Sequence, residues 1–325
     1  MLRAVVPLLL LVSASFGCAG MQPVATDVAP REIDSAQLLA DIRTLAADSM
    51  QGRRTGTVGS ERARAYLLGA FERHRLLPLS GSYEHPFTFS ARRDSLEQRG
   101  INLLGYIRGT ESPDRYIVVT AHYDHVGVTN GEIFNGADDN ASGTAALFAL
   151  AQHFRQNPPR NSILFAALDA EEMGLQGARA FVASPPLRRE AMVMNVNMDM
   201  VSRSARDELY AVGTHHYPFL RPYIERVAAR APLTLLMGHD SPELPAGEDW
   251  TMSSDHGAFH QVRIPFIYFG VEDHEDYHRP TDTFENIDPD FYVRAVGTVI
   301  DFVAEVDRDL SAIAAQRQAA LSGGR

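Results

Sequence analysis

Short apolar segments alternate with helical patterns along most of this chain, and this alternation restricts its fold more than any other feature. Strands are predicted at residues 116–121, 162–168, 191–200, 208–213, 234–237 and 265–270. Helices are predicted at about 142–154, 175–183 and 217–230, and a last helix runs from Asp288 to about Leu310. Apolar strands separated by helices are typical of a parallel sheet that is covered on both faces. We therefore expect a three-layer α/β/α fold with a mixed, mostly parallel central sheet.

Histidine and acidic side chains follow or flank these strands at their carboxyl ends, where the ligand sites of parallel sheets lie. They are His122, Asp124, Asp138, Asp139, Glu171, Glu172, Asp199 and His278. Each residue alone is also compatible with a turn, a helix cap or a surface position. Acidic pairs are costly to place together unless a positive charge neutralises them. Their joint placement predicts a site for one or two divalent metal ions.

The composition excludes several other kinds of chemistry. All 30 basic residues are arginines, so no lysine is present for a Schiff base or a phosphate-binding loop. The single cysteine, Cys18, cannot form an internal disulfide, a cysteine-rich zinc site or an iron–sulfur cluster. A formal net charge of −11 argues against a nucleic-acid binder, because phosphate contacts need a basic face.

Five separated motifs between about Arg53 and Asp288 resemble those of the co-catalytic zinc aminopeptidases, an exported family with two metal ions bridged by one aspartate. The motifs are His122-Tyr123-Asp124, Asp138-Asp139-Asn140, Glu171-Glu172, Asn197-Met198-Asp199 and Tyr277-His278. The resemblance implies that His122 and Asp199 hold one zinc ion. It implies that Glu172 and His278 hold the second, and that Asp139 bridges both.

The same resemblance implies that Glu171 is the general base. Two ions about 3.5–4 Å apart can polarise a carbonyl group, activate water and stabilise the resulting negative charge. Imidazole and carboxylate ligands suit zinc, with manganese or cobalt as substitutes. Asp124 is placed to receive the other N–H of His122 and so to orient that ring. Asp282 is a candidate for the same role at His278.

A competing motif, His274-Glu275-Asp276-Tyr277-His278, matches the H-E-x-x-H signature of a different class of zinc protease. That signature works only inside a helix. Gly270 precedes the motif, Pro280 follows it, and no apolar stripe of helical period surrounds it. We therefore expect the co-catalytic arrangement. The nearby segment Ser253–His256 is expected to cap a helix beside the site.

The first residues have the features of an export signal. Residues 1–17 contain an arginine, an apolar run of about ten residues and then small residues. Ser15-Phe16-Gly17-Cys18 resembles a bacterial lipoprotein cleavage box without its usual leucine, so Cys18 is expected to carry a lipid anchor to a membrane. We expect a tether at 18–32, a catalytic domain at 33–312 and a flexible tail at 313–325. The protein would then act in the cell envelope or periplasm.

The leading expectation for function is an aminopeptidase that releases N-terminal residues from peptides. Related dinuclear carboxypeptidases and deacylases insert a further domain before the final histidine, and the segment between Asp199 and His278 is too short for one. A glutaminyl-cyclase-like enzyme and a non-catalytic lipoprotein with a peptidase fold are the alternatives. The non-catalytic alternative predicts lost ligands, and every position that matches the motifs is retained.

Overall fold

The predicted strands assemble into one mixed sheet in the computed structural model, which describes residues 33–90, 97–245 and 247–323. The predicted signal peptide, the tether and Cys18 lie outside these residues. The first strands are β1 (Leu77–Pro78), β2 (Glu84–Ser90), β3 (Glu97–Ile107), β4 (Ser112–His122), β5 (Gly127–Thr129) and β6 (Glu132–Phe134). The later strands are β7 (Asn161–Leu168), β8 (Met192–Met198), β9 (Glu208–Val212), β10 (Thr234–Met237) and β11 (Phe266–Gly270).

The centre of the sheet is parallel and its margins are mixed. The strand order is β1-β3-β7-β4-β8-β11-β9-β10, with β2 paired to β3, while β5 and β6 form a separate hairpin. Strand β4 pairs in parallel with β7 and β8, and β8 pairs in parallel with β11. Strand β3 is antiparallel to β7, and β9 is antiparallel to β11. The carboxyl ends of β7, β4, β8 and β11 therefore meet at one edge.

Helices cover both faces of this sheet. They are α1 (Ser35–Leu45), α2 (Val58–Arg73), α3 (Gly143–Gln156), α4 (Gln176–Ala183), α5 (Arg221–Ala228), α6 (His256–Gln261), α7 (Pro289–Arg308) and α8 (Leu310–Gly323). Side chains of β4 alternate between two buried clusters: Ile117 and Val119 pack with α1, α3 and α7, and Val118 packs with α4 and α6. The predicted three-layer α/β/α fold is confirmed.

Side chains cap the first turns of α1, α2 and α7. Helix α1 is capped by the carboxylate of Asp34, and α2 by the hydroxyl of Thr57. The cap of α7 by Asp288 is confirmed, since this side chain accepts two amide protons of the first turn. The prediction of a flexible tail from residue 313 is wrong for the described residues, because α8 is helical to Gly323 and Ile313 is buried.

Candidate metal centre

The ends of the four central strands bring the five predicted metal ligands together. His122 is the last residue of β4, Glu172 follows β7, and Asp199 follows β8. His278 lies in the loop after β11, and Asp139 lies in an irregular turn, Ala137–Ser142, that leads into α3. This turn begins at Gly136, whose φ of 59° is in the left-handed region that favours glycine. Strand ends and this one turn therefore create the site.

The first cluster consists of His122, Asp139 and Asp199, all of them buried. The Nε2 atom of His122 lies 3.4 Å from Oδ1 of Asp139 and 3.3 Å from Oδ1 of Asp199. Neither this nitrogen nor Oδ1 of Asp199 has a hydrogen-bond partner among the described residues. Buried polar atoms that converge without hydrogen-bonding fit a metal ion, and such separations agree with ligands at about 2.0–2.2 Å from zinc.

The second cluster consists of Asp139, Glu172 and His278. The Nε2 atom of His278 lies 3.0 Å from Oδ2 of Asp139 and 3.2 Å from Oε2 of Glu172. Asp139 therefore presents one oxygen to each cluster, as a bridging ligand must. His125, for which the sequence predicts no role, forms a further group of donor atoms with Asp139 and Glu172. Imidazole and carboxylate donors without thiolate suit zinc.

The pKa values in the two clusters are strongly perturbed. Burial lowers the pKa of His122, but the charges of Asp199 and Glu171 outweigh it and raise this pKa well above its usual value. Hydrogen bonds to Asp139 and Glu172 raise the pKa of His278 to about 10. Each imidazole is thus stabilised as a cation by the carboxylates around it. A metal ion would displace these protons and supply the positive charge instead.

Glu171 is half-buried beside the clusters and belongs to neither of them. Burial raises the pKa of its carboxyl group well above the usual range. The charge of His122 lowers this pKa, and the charges of Asp199, Asp255 and Glu172 raise it. Perturbed carboxyl groups in a cleft are typical of catalytic sites. The role of Glu171 as the base stays a prediction.

Asp124 and Asp282 support the site through contacts that differ from the expected ones. The main-chain oxygen of Asp124 lies 3.1 Å from Nδ1 of His122, while its carboxylate accepts the amide protons of Glu171 at 3.0 Å and Glu172 at 3.3 Å. The carboxylate of Asp282 accepts the amide protons of Asp138 and Asp139, not a proton of His278. Asp124 thus positions Glu171, the predicted base, and Asp282 positions Asp139, the predicted bridging ligand.

The H-E-x-x-H alternative has no helix to support it. Residues 271–283 form turns and extended segments. The ring of His274 points to Asp138, with its Nε2 atom 3.1 Å from Oδ2, and so lies outside both metal-ligand clusters. Glu275 is exposed. His274 therefore holds the loop of His278 against the turn that contains Asp138 and Asp139.

The segment Ser253–His256 does not cap a helix in the expected way. Helix α6 follows it, but Asp255 makes no side-chain cap, and neither of its buried carboxylate oxygens has a hydrogen-bond partner among the described residues. Burial raises the pKa of Asp255 to about 8. The charges of Asp124 and Asp199 also raise this pKa, and the charge of His122 lowers it. Ser254 instead accepts a hydrogen bond from Asn197 of β8.

Arg53 is a further residue that the sequence did not identify, since nothing in Gly52-Arg53-Arg54 distinguishes it from its neighbour. Its guanidinium group is fully buried and donates to four main-chain oxygens. Two of these oxygens belong to Asn135 and Gly136, directly before the turn of Asp139. Arg53 therefore holds the loop that positions the bridging ligand.

A cavity of about 140 Å³ opens onto the clusters. Glu171, Asp199 and His278 face into it, and its apolar wall comes from Met200, Trp250, Tyr268, Val271 and Tyr277. The ring of Trp250 stacks on that of His239 with 3.8 Å between their centres. Fold and site together define a candidate metal centre at the carboxyl edge of an α/β/α sheet.

Residues 102–303, more than half of the chain, match the model for peptidase family M28, and the chain belongs to this family. It is 34% identical over 206 residues to aminopeptidase YwaD of Bacillus subtilis (58% of this chain, 41% of the relative). It is 30% identical over 190 residues to a probable zinc metalloprotease of Leptosphaeria maculans (54% of this chain, 43% of the relative). The chain thus spans less than half the length of these curated relatives.

Solved structures share the fold. The zinc aminopeptidase BSAP from Bacillus subtilis superimposes with a TM-score of 0.69 at 17% identity, over 85% of this chain and 96% of that one. A glutaminyl cyclase from Fimbriiglobus ruber gives 0.67 at 20% identity, over 88% of this chain and 99% of that one. The resemblance to the co-catalytic zinc aminopeptidases is therefore confirmed as a relationship of family and fold.

Proposed function

We propose that this protein is an aminopeptidase that hydrolyses the N-terminal residues of peptides with two zinc ions and Glu171 as the general base. One observation carries the proposal: Asp139 directs one oxygen to each of two histidine and carboxylate clusters. His122, Asp139 and Asp199 would hold one ion. Asp139, Glu172 and His278 would hold the other.

When bound, the two ions would polarise the scissile carbonyl group and lower the pKa of the attacking water. Glu171 is outside both clusters, so its carboxylate is free to take a proton from that water and to return it to the leaving amine. Asp124 keeps Glu171 in place, because its carboxylate accepts the Glu171 amide proton. Trp250 and Tyr277 form part of the wall that limits access of bulk water.

The charge of the cavity supports an aminopeptidase over a carboxypeptidase. The carboxylate of Asp273, which has no role in holding the ions or in the proton transfer, opens onto the cavity and would attract the free ammonium group of a peptide. Among the described residues that line it there is no arginine to bind a substrate carboxylate. Strands, helices and loops of the single domain occupy the segment between Asp199 and His278, where relatives of other specificity carry an additional domain.

The test compares Glu171→Gln with the matched control Glu275→Gln, a substitution at an exposed residue of the competing motif. We expect Glu171→Gln to lower kcat by about 10²–10⁴-fold while two zinc ions per chain are retained. Glu275→Gln should have nearly wild-type activity. Loss of activity in the Glu275 variant alone would refute the assigned base.

A panel of substrates tests the specificity. Aminoacyl substrates with a free amine should be hydrolysed, whereas N-blocked, C-terminal and glutaminyl substrates should react slowly. Equal cleavage of N-blocked and free substrates would contradict the aminopeptidase assignment. Cyclisation of N-terminal glutamine would support a glutaminyl cyclase, and two bound ions without any turnover would support a non-catalytic role.

We also propose export and lipid attachment at Cys18, on the basis of residues 1–18. None of the helices in the described ranges has the length and apolar character needed to cross a bilayer. Labelling of cells with a radioactive fatty acid should mark the wild-type protein and not Cys18→Ser. Equal labelling of the two proteins would exclude this attachment point.

A further inference from the structure

His125 is a buried histidine inside the site that the five-ligand scheme does not use. It lies three residues beyond His122, and its side chain has no exposed surface. The loop is shaped around its ring, because a Cβ atom on Gly136 would come within 2.5 Å of two ring carbons. Glycine at position 136 thus leaves the space that the ring occupies.

The Nδ1 atom of His125 faces the second cluster. It lies 2.8 Å from Oε1 of Glu172 and 3.5 Å from Oδ2 of Asp139. The short approach lacks hydrogen-bond geometry, and neither Nδ1 nor Oε1 of Glu172 has a hydrogen-bond partner among the described residues. Buried polar atoms without partners are unfavourable unless something else binds them.

The same pattern is present in the first cluster, where Nε2 of His122 and Oδ1 of Asp199 converge without a hydrogen bond. We propose that Nδ1 of His125 is a further ligand of the second metal ion, beside Asp139, Glu172 and His278. The assignment rests on the two-metal function proposed above. It adds a histidine to the ligand set that the family resemblance implies.

This ligand makes the two metal sites unequal. With His125, four protein side chains would hold the second ion, whereas three would hold the first and leave room for water there. The second ion is therefore held more tightly, and the first is more readily exchanged and more accessible to water. Two imidazoles also shift the preference of the second site from manganese towards zinc and cobalt.

X-ray absorption at the zinc edge tests the assignment on untagged wild-type holoenzyme. A fit to the multiple-scattering signal should need three imidazole ligands for two ions, one at the first ion and two at the second. Two ions with only two imidazoles would overturn the assignment of His125 and leave the proposed function intact. A single bound ion would overturn both. This measurement does not depend on the folding of any variant.

A variant gives the second measurement. The spectrum of His125→Ala should show one imidazole fewer. In a chelator competition, the zinc ion at the second site should bind at least about 10-fold more weakly than in wild type. His260→Ala, at a half-buried histidine away from the clusters, is the control and should change neither. If folded His125→Ala shows the same number of imidazoles as wild type, His125 contacts Glu172 without binding the ion. That result would overturn the assignment.

Discussion

Replacement of Arg53 by methionine should destabilise the protein strongly although the residue is not a metal ligand. Its Nε atom donates to the oxygen of Tyr123 at 2.9 Å, and Nη1 donates to Leu45 at 2.7 Å. Nη1 and Nη2 also donate to Asn135 at 2.6 Å and Gly136 at 2.9 Å. Methionine retains much of the side-chain volume and leaves all four oxygens without this donor.

The magnitude follows from these four bonds. A hydrogen bond from a charged donor contributes about 1.5–3 kcal/mol, but bonds that share one side chain do not add fully. We expect Arg53→Met to lower the free energy of unfolding by about 4 kcal/mol. For a domain of this size that corresponds to a decrease in Tm of about 10 °C. Arg53→Lys retains the charge without the planar fork and should lose about half as much.

The loss should also depend on metal. Burial lowers the pKa of Arg53 to about 10, so the group is still charged at neutral pH, and carboxylates including Asp139 and Asp282 favour that charge. Zinc neutralises these carboxylates, so we expect Arg53→Met to cost more stability in the metal-free protein than in the zinc-loaded protein.

Calorimetric unfolding of both forms measures this effect. Arg54→Met is the matched control, because Arg54 is exposed and makes a single hydrogen bond of 3.3 Å to Val126. A Tm of Arg53→Met within about 2 °C of wild type, or an equal loss of stability with and without zinc, would contradict this role of Arg53.

Two further predictions concern metal removal and pH. Chelation should abolish peptidase activity and lower Tm, because ions that bind only the folded chain stabilise it, and added zinc should restore both. Activity that survives complete chelation would contradict a metal-dependent reaction. Burial lowers the pKa of His256 to about 3. The unfolded chain therefore binds more protons than the folded one between pH 6.5 and 3, and stability should fall as the pH is lowered through this window. In the metal-free protein, the free energy of unfolding should therefore fall more steeply with decreasing pH in wild type than in His256→Asn. The difference in slope should reach about 1.4 kcal/mol per pH unit, and equal slopes would contradict the burial of a neutral ring.

Periodicity and strand ends were the reliable signals in the sequence. Strands β4, β7, β8 and β11 are buried on both faces, so their continuous apolar runs stand out from the polar loops that follow them. Because parallel strands end at one edge, the residues after these runs had to meet. The sequence therefore predicts that His122, Glu172 and Asp199 lie close together.

Contacts made by loops were less predictable. The carboxylate of Asp124 faces the amide groups of Glu171 and Glu172, and the carboxylate of Asp255 makes no cap. Both depend on where a loop from another element passes. Neighbours in the sequence carry no information about such contacts.

Local periodicity and residue type suffice to predict the α/β/α layering, the edge at which the site lies and the chemical types of its ligands. The placement of Arg53 beneath the site and of His125 against it follows only from the folded chain. Both depend on one turn at Gly136, which brings segments far apart in the chain within hydrogen-bonding distance. Distances of this kind are properties of the folded backbone, and no residue pattern encodes them locally.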